Sequence, residues 1–177
     1  MDILYRPLAL EEITPALFAG FERRQEVTRC WRKENGAWLL KDIAFVDDWS
    51  PQDYDTLLEH LRHTLQTGGA LIGAFQVERL AGFASVENEF FGSQKQYLLL
   101  SSLHVSLPSR HQGIGRKLLG LAAEAARKLG AQKLYISAHS AEETQAFYHA
   151  LGCVEALEYN AALVEAEPCD CQMELVL

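Results

Sequence analysis

The sequence predicts an α/β (α+β) fold in one domain spanning residues 1–177: a mixed, mostly antiparallel sheet flanked by helices. Three observations carry this reading. Residues 70–107 are apolar segments broken by turn residues at the spacing of a three-strand antiparallel meander. A strand–helix–strand unit follows, which calls for a right-handed crossover and a partly parallel sheet. The remaining apolar repeats lie at helical spacing around these segments.

Taken in order, residues 2–8 read as a short strand. A helical region is expected next, with Leu17, Phe18, Phe21, Val27 and Trp31 apolar among charged residues and Pro15 suited to a first helical turn. Residues 35–49 fit neither period well. A clear helix begins after Ser50, an N-cap residue followed by Pro51 at the first helical position and Asp53 in the first turn. Trp49 and Tyr54 stand at the two hydrophobic staple positions around that cap. Tyr54, Leu57, Leu58, Leu61 and Leu65 continue the stripe, and Gly68 and Gly69 end it.

The meander occupies 70–76, 80–91 and 96–107, with turns near Glu78-Arg79 and Gly92-Ser93. Ile114, Leu118, Leu121, Ala122, Ala125 and Leu129 then form one apolar stripe closed by Gly130. Residues 133–138 are a short strand. Ser140 and Glu143 have the spacing of a capping box for a helix that runs to about Ala150 and stops at Gly152. Residues 153–159 and 170–177 complete the chain as a final pair of strands.

The chemistry concentrates at the turn that joins the long apolar strand to the helix after it, Leu103-His104-Val105-Ser106-Leu107-Pro108-Ser109-Arg110-His111-Gln112-Gly113-Ile114-Gly115-Arg116-Lys117. Glycines let a backbone approach a ligand closely. The free N–H groups of a first helical turn, together with the helix dipole, favour an anion. Arg110, Arg116 and Lys117 add charge-assisted contacts for phosphate. The turn lacks the Gly-Lys-Ser/Thr ending of a P-loop, and Gly-x-Gly alone does not make a dinucleotide fingerprint.

Arg110-x-x-Gly113-x-Gly115 resembles the Arg/Gln-x-x-Gly-x-Gly/Ala pyrophosphate signature of the GNAT superfamily of N-acetyltransferases. Phe147-Tyr148-x-x-Leu151-Gly152-Cys153 is similar to that family's Phe-Tyr-x-x-x-Gly-Phe segment. The resemblance covers roughly the C-terminal half. It implies acetyl-CoA as acyl-donor substrate, no metal, and direct attack of an amine on the bound thioester. The pyrophosphate would lie on the amides of Gln112, Gly113, Ile114, Gly115, Arg116 and Lys117. The pantetheine arm would pair with the backbone of Leu103, His104 and Val105, where an N–H near Val105 would polarise the acetyl carbonyl.

Tyr148 matches the tyrosine that protonates the departing thiolate. The required base is expected at Glu87, which shares a strand face with Glu89, with His104 as a second candidate; both carboxylates can equally be edge-strand surface charges. The family's cofactor-contacting Asn is replaced by Ala141, and Ser140 or Thr144 is the nearest substitute. Cys153 stands where the family has Phe, and without a neighbouring base it is not expected to be a nucleophile.

The formal net charge of −8 disfavours nucleic acid as a partner. No apolar run reaches the roughly 18 residues of a bilayer span, and the N-terminus lacks the pattern of a signal peptide. Cys30, Cys153, Cys169 and Cys171 lack zinc-site spacing and read as reduced thiols of a cytoplasmic protein. Trp31, Trp38, Trp49, Asp47, Asp48, Glu165, Glu167 and Asp170 are candidates for an acceptor pocket suited to a small amine. An N-terminal or lysine acetyltransferase of proteins, and a non-catalytic acyl-CoA-binding module, are the competing readings. A homodimer through the late strands follows from family analogy alone.

Overall fold

A computed structural model describes residues 2–177. Its strands are β1 (Ile3–Pro7), β2 (Arg24–Glu34), β3 (Ala37–Asp48), β4 (Ala70–Gln76), β5 (Arg79–Val86), β6 (Tyr97–Val105), β7 (Lys133–Ala138), β8 (Val154–Glu155) and β9 (Cys171–Val176). The helices are α1 (Pro51–Gln66), α2 (Ile114–Leu129), α3 (Glu142–Ala150) and α4 (Ala161–Ala166). Seven strands form one sheet in the order β1-β4-β5-β6-β7-β9-β8, and β2 and β3 form a separate hairpin. Only β6 and β7 run parallel; the other pairings are antiparallel.

The central strands are apolar on both faces because both faces are covered. On one, Ile114, Leu118 and Ala122 of α2 pack on Ile72, Ala84, Val86, Leu98 and Leu100. On the other, Leu58 and Leu61 of α1 pack with Phe18, Phe21, Leu71, Phe75 and Phe83. The start of α1 is the capped turn expected from its sequence. Asp53 N–H donates to Ser50 Oγ at 3.2 Å, Ser50 N–H donates to Asp53 Oδ2 at 2.7 Å, and Trp49 meets Tyr54 edge-on at 5.4 Å. Such a cap contributes about 1 kcal/mol.

The N-terminal third differs from expectation. Pro15–Phe18 is a single 3-10 turn, and the chain then enters β2 rather than a helix. Val27 and Cys30, three residues apart, are both buried against Ala141, which gives this strand a helix-like apolar spacing. The β2–β3 register also slips between Val27 and Arg29, where β3 carries one residue more than β2, a bulge that disturbs the two-residue period of the hairpin. Asn35 and Gly36, with φ of 50° and 78°, make the two-residue turn into β3. Asn-Gly is the residue pair that such a hairpin turn prefers, and it was the signal to read.

Smaller corrections follow. β5 ends at Val86, and Phe91 makes only an isolated bridge to Tyr97. The capping box at α3 does not form. Its N-cap is Ala141, and Ser140 Oγ instead accepts from Arg32 Nη1 at 2.7 Å. Between the last two strands lies α4, capped by Asn160, whose Oδ1 accepts from the N–H groups of Ala162 and Leu163.

Candidate active site

Being parallel, β6 and β7 point the same way, yet they pair only over 97–99 against 133–135. Both strands continue past that point and diverge, β6 to Val105 and β7 to Ala138. Among the described residues, no strand covers the β7-facing edge of β6 from 100 to 105. A wedge therefore opens in the middle of the sheet, with half-buried residues 101–105 along one bank. On its other side β6 is held by β5, with Gly82, Phe83 and Ala84 opposite Val105, His104 and Leu103, and a register shift that leaves Ser101 out between the paired Leu100 and Ser102. A free strand edge inside a sheet can take an extended ligand as an added strand.

That edge leads into the glycine turn. After a 3-10 turn at Leu107–Ser109, Arg110 Nε donates to the Val105 carbonyl at 3.1 Å. Gly113 adopts φ 80° and ψ 3°, a left-handed conformation that favours glycine, and it offers α2 no capping side chain. The first intrahelical bond runs from Lys117 N–H to the Gly113 carbonyl at 3.1 Å, so the amides of Ile114, Gly115 and Arg116 have no acceptor within the helix. A Cβ on Gly115 would meet Phe147 at 3.2 and 3.3 Å and Val105 at 3.6 Å, whereas one on Gly113 would meet nothing within 4 Å. The turn thus presents bare amides beside exposed Gln112, Arg116 and Lys117, which suits a diphosphate.

Tyr148 is buried on α3, next to Phe147. Burial first, then the nearby Cys153 and Asp170, push its phenol well above the usual tyrosine range. The group therefore carries its proton at any working pH. Burial pushes the Cys153 thiol up to about 11, which removes it as a nucleophile.

On the sheet face away from α2, the hairpin bridges the wedge. At its base, Leu107 N–H donates to the Glu22 carbonyl at 2.9 Å and Glu22 N–H to Ser106 Oγ at 2.9 Å. Further along, Trp31 N–H donates to the Ser140 carbonyl at 2.8 Å, and Arg29 pairs with Glu142 at 2.6 Å. Beneath it, Arg23 Nε donates to His104 Nδ1 at 3.2 Å and Arg23 Nη2 to Asp47 Oδ2 at 3.1 Å; Trp49 stacks edge-on against His104 at 4.7 Å. Phe45 lies 5.6 Å from His139. Arg23 Nη1 is buried without a partner among the described residues.

Three comparisons bear on this geometry. The profile of the Acetyltransferase (GNAT) family matches residues 20–153. The chain belongs to the GNAT acetyltransferase family. No curated protein sequence matches it. Its fold is similar to a nourseothricin acetyltransferase (TM-score 0.71, 17% identity, 99% of both chains). It is also similar to a Bacillus anthracis acetyltransferase assigned to streptothricin and solved with acetyl coenzyme A (TM-score 0.74, 13% identity, 100% of this chain and 99% of that one). The PaiA N-acetyltransferase of Thermoplasma acidophilum, solved with coenzyme A, aligns over 100% of both chains at TM-score 0.62 and 16% identity.

Within this GNAT chain the sequence-derived residues fall into two groups. Leu103, His104, Val105, Arg110, Gln112, Gly113, Ile114, Gly115, Arg116 and Lys117 line the free edge and the turn, and Tyr148 stands beside them on α3. Ser140 and Thr144 have hydroxyls turned to the hairpin, Ser140 to Arg32 and Thr144 to Gln25 Nε2 at 3.3 Å. Glu87 follows β5, and its Oε1 accepts from Thr64 and Ser101, each at 2.6 Å, which ties α1 to the irregularity in β6. His104 does not serve as a base. Burial, aided by Arg23 and Arg110, holds its imidazole down at about 3, and Nδ1 already accepts from Arg23, so its proton sits on Nε2. Arg23, Ser137 and His139 escaped sequence reasoning, because only the hairpin and the diverging strands bring them to the wedge. Among the described residues, no group of three or more His, Cys, Asp or Glu side chains is placed to hold a metal ion. Nor is any helix long and apolar enough to cross a membrane.

Proposed function

We propose that this acetyltransferase moves an acetyl group from acetyl-CoA to a primary amine of a small molecule, by direct attack within a ternary complex. The observation that carries the reading is the uncovered edge of β6 running into the uncapped start of α2. The backbone of Leu103, His104 and Val105 pairs with the pantetheine amides, and the turn amides with Arg116 and Lys117 take the diphosphate. A β6 N–H near Val105 polarises the acetyl carbonyl. Tyr148 gives its proton to the sulfur as the C–S bond breaks.

The hairpin favours a small acceptor. It is fixed across the wedge from Ser106 to α3, with its own Phe45 and Asp47 standing near His139 and Arg23, which fits a small acceptor better than a peptide. Aromatic rings and carboxylates together suit a cationic amine. Two similar folds belong to proteins named as nourseothricin and streptothricin acetyltransferases, which supports the same class of acceptor.

The first test is calorimetric titration of acetyl-CoA into the native chain and into a Gly113→Asp, Gly115→Asp variant. The variant strains the turn and sets two carboxylates against the diphosphate, and affinity should fall by more than about tenfold. A native chain that does not bind acetyl-CoA would remove the reading. Thiol release across a panel of free amines and peptides then separates small-molecule from protein acceptors.

A further inference from the structure

We propose that Asp170 is the base of the reaction, the carboxylate that receives the proton of the acceptor's ammonium group. The assignment rests on the reading of this enzyme as an amine acetyltransferase.

A one-way chain of hydrogen bonds ends on this residue. Asn160 N–H donates to the Tyr135 oxygen at 3.0 Å, and the Tyr135 hydroxyl donates to Gln172 Oε1 at 2.5 Å. Gln172 Nε2 donates to Ser137 Oγ at 3.1 Å, and the Ser137 hydroxyl donates to Asp170 Oδ2 at 2.9 Å. Tyr135 and Gln172 are buried, at 0% and 2% exposure, while Asp170 is half-buried at the end of the chain. Every donor points toward the carboxylate. A buried polar network of this kind fixes one side chain in one orientation, which a surface acid does not require.

The position is also right. Ser137 lies on β7 two residues past the last residue paired with β6, on the bank of the wedge opposite His104. Cys171, the residue after Asp170, lies in the same buried cluster as Tyr148, which brings the group proposed to take a proton near the group proposed to give one. Three other carboxylates considered for this role are engaged. Asp47 is paired with Arg23, Glu142 with Arg29, and Glu87 is bound by Thr64 and Ser101. Burial pushes the Asp170 carboxyl up to about 6, against the Ser137 hydrogen bond that lowers it and with Glu167 adding to the rise. Cys171 on β9 and Tyr148 on α3 are further titratable neighbours, and Arg32, Glu155 and Cys30 act in turn on Cys171. A base in this range is matched to neutral pH.

The step balances as follows. Asp170 takes one proton from the ammonium and later releases it to solvent. The free amine nitrogen bonds to the acetyl carbon, and the C–S bond breaks. Tyr148 protonates the thiolate and recovers its proton from the nitrogen, which leaves the neutral amide.

The experiment is a pH profile of kcat/KM for an amine that the native enzyme uses, with acetyl-CoA affinity measured alongside. In the native enzyme activity should fall as pH drops through about 6. Asp170→Asn should lower kcat/KM about 10²- to 10⁴-fold, remove that acid limb and leave the acetyl-CoA Kd unchanged. Ser137→Ala, which removes the bond that favours the carboxylate, should move the limb to higher pH, and this readout stands even if Asp170→Asn does not fold. An Asp170→Asn enzyme with native rate and limb, or loss confined to Glu87→Gln, overturns the assignment alone. Absence of amine acetylation by the native chain overturns the amine reading and the assignment with it.

Discussion

At Tyr148 the chemistry turns on one proton. The phenol is buried and its proton is held tightly, which fits the proposed role of donor to the sulfur. Tyr148→Phe keeps the ring against Phe147 and removes only the hydroxyl. It should lower kcat about 10²-fold with little change in KM for acetyl-CoA, measured as thiol release under saturating amine. A non-catalytic binding module would show no change in any property. Tyr148 was legible because it sits in a contiguous motif. Asp170 was legible only as one acid among several, since its distinction comes from Ser137 and Gln172, which the β7–β9 pairing brings beside it. His104 shows the converse. A histidine in a strand could be a base by sequence, and only its contact with Arg23, 81 positions away, shows its nitrogen to be filled.

At the level of elements, legibility followed locality. The Ser50 cap, the α2 stripe and the short strand before α3 are set by neighbours within a turn or two, and the sequence marked each of them. The hairpin was missed because Val27 and Cys30, buried together on Ala141, stand at helical spacing and because most positions of β3 are exposed or half-exposed. Its turn is the vulnerable point. Gly36→Val puts a β-branched residue at a φ of 78°, which should cost about 1–3 kcal/mol and fray the roof. The expected result is a raised KM for the amine with an unchanged Kd for acetyl-CoA. Equal losses in both would mean that the hairpin supports the whole sheet rather than the acceptor side.

For the molecule as a whole, the wedge needs a closed end. There, Tyr97 of β6 donates its hydroxyl to Glu174 Oε2 of β9, and Lys133 of β7 pairs with Glu174 Oε1 at 2.9 Å, so one buried carboxylate fastens three strands. The Lys133 and Tyr97 bonds draw the Glu174 carboxyl below its ordinary value against the opposing effect of burial. Lys133→Met leaves that charge without its cation and should destabilise the fold by roughly 3 kcal/mol in denaturant titration. A partly parallel sheet was foreseen from the strand–helix–strand pattern, whereas the order of its strands was not. The clamp was not, because its three members are far apart in sequence and each reads alone as an ordinary strand residue.

The hairpin has one more consequence. It closes on itself through a two-residue turn and rejoins the sheet at Glu22 and Trp49, next to one another through Trp49 N–H and the Arg23 carbonyl. The residues proposed to handle the donor all lie after residue 96, and the hairpin meets β6 and α3 through Arg23, Gln25, Arg29, Trp31 and Arg32. An exchanged segment that keeps these contacts would spare the proposed acyl-donor residues, so the chain is laid out as a cassette on a fixed frame. Grafting the corresponding segment of a relative with those contacts kept should transfer amine preference with an unchanged Kd for acetyl-CoA.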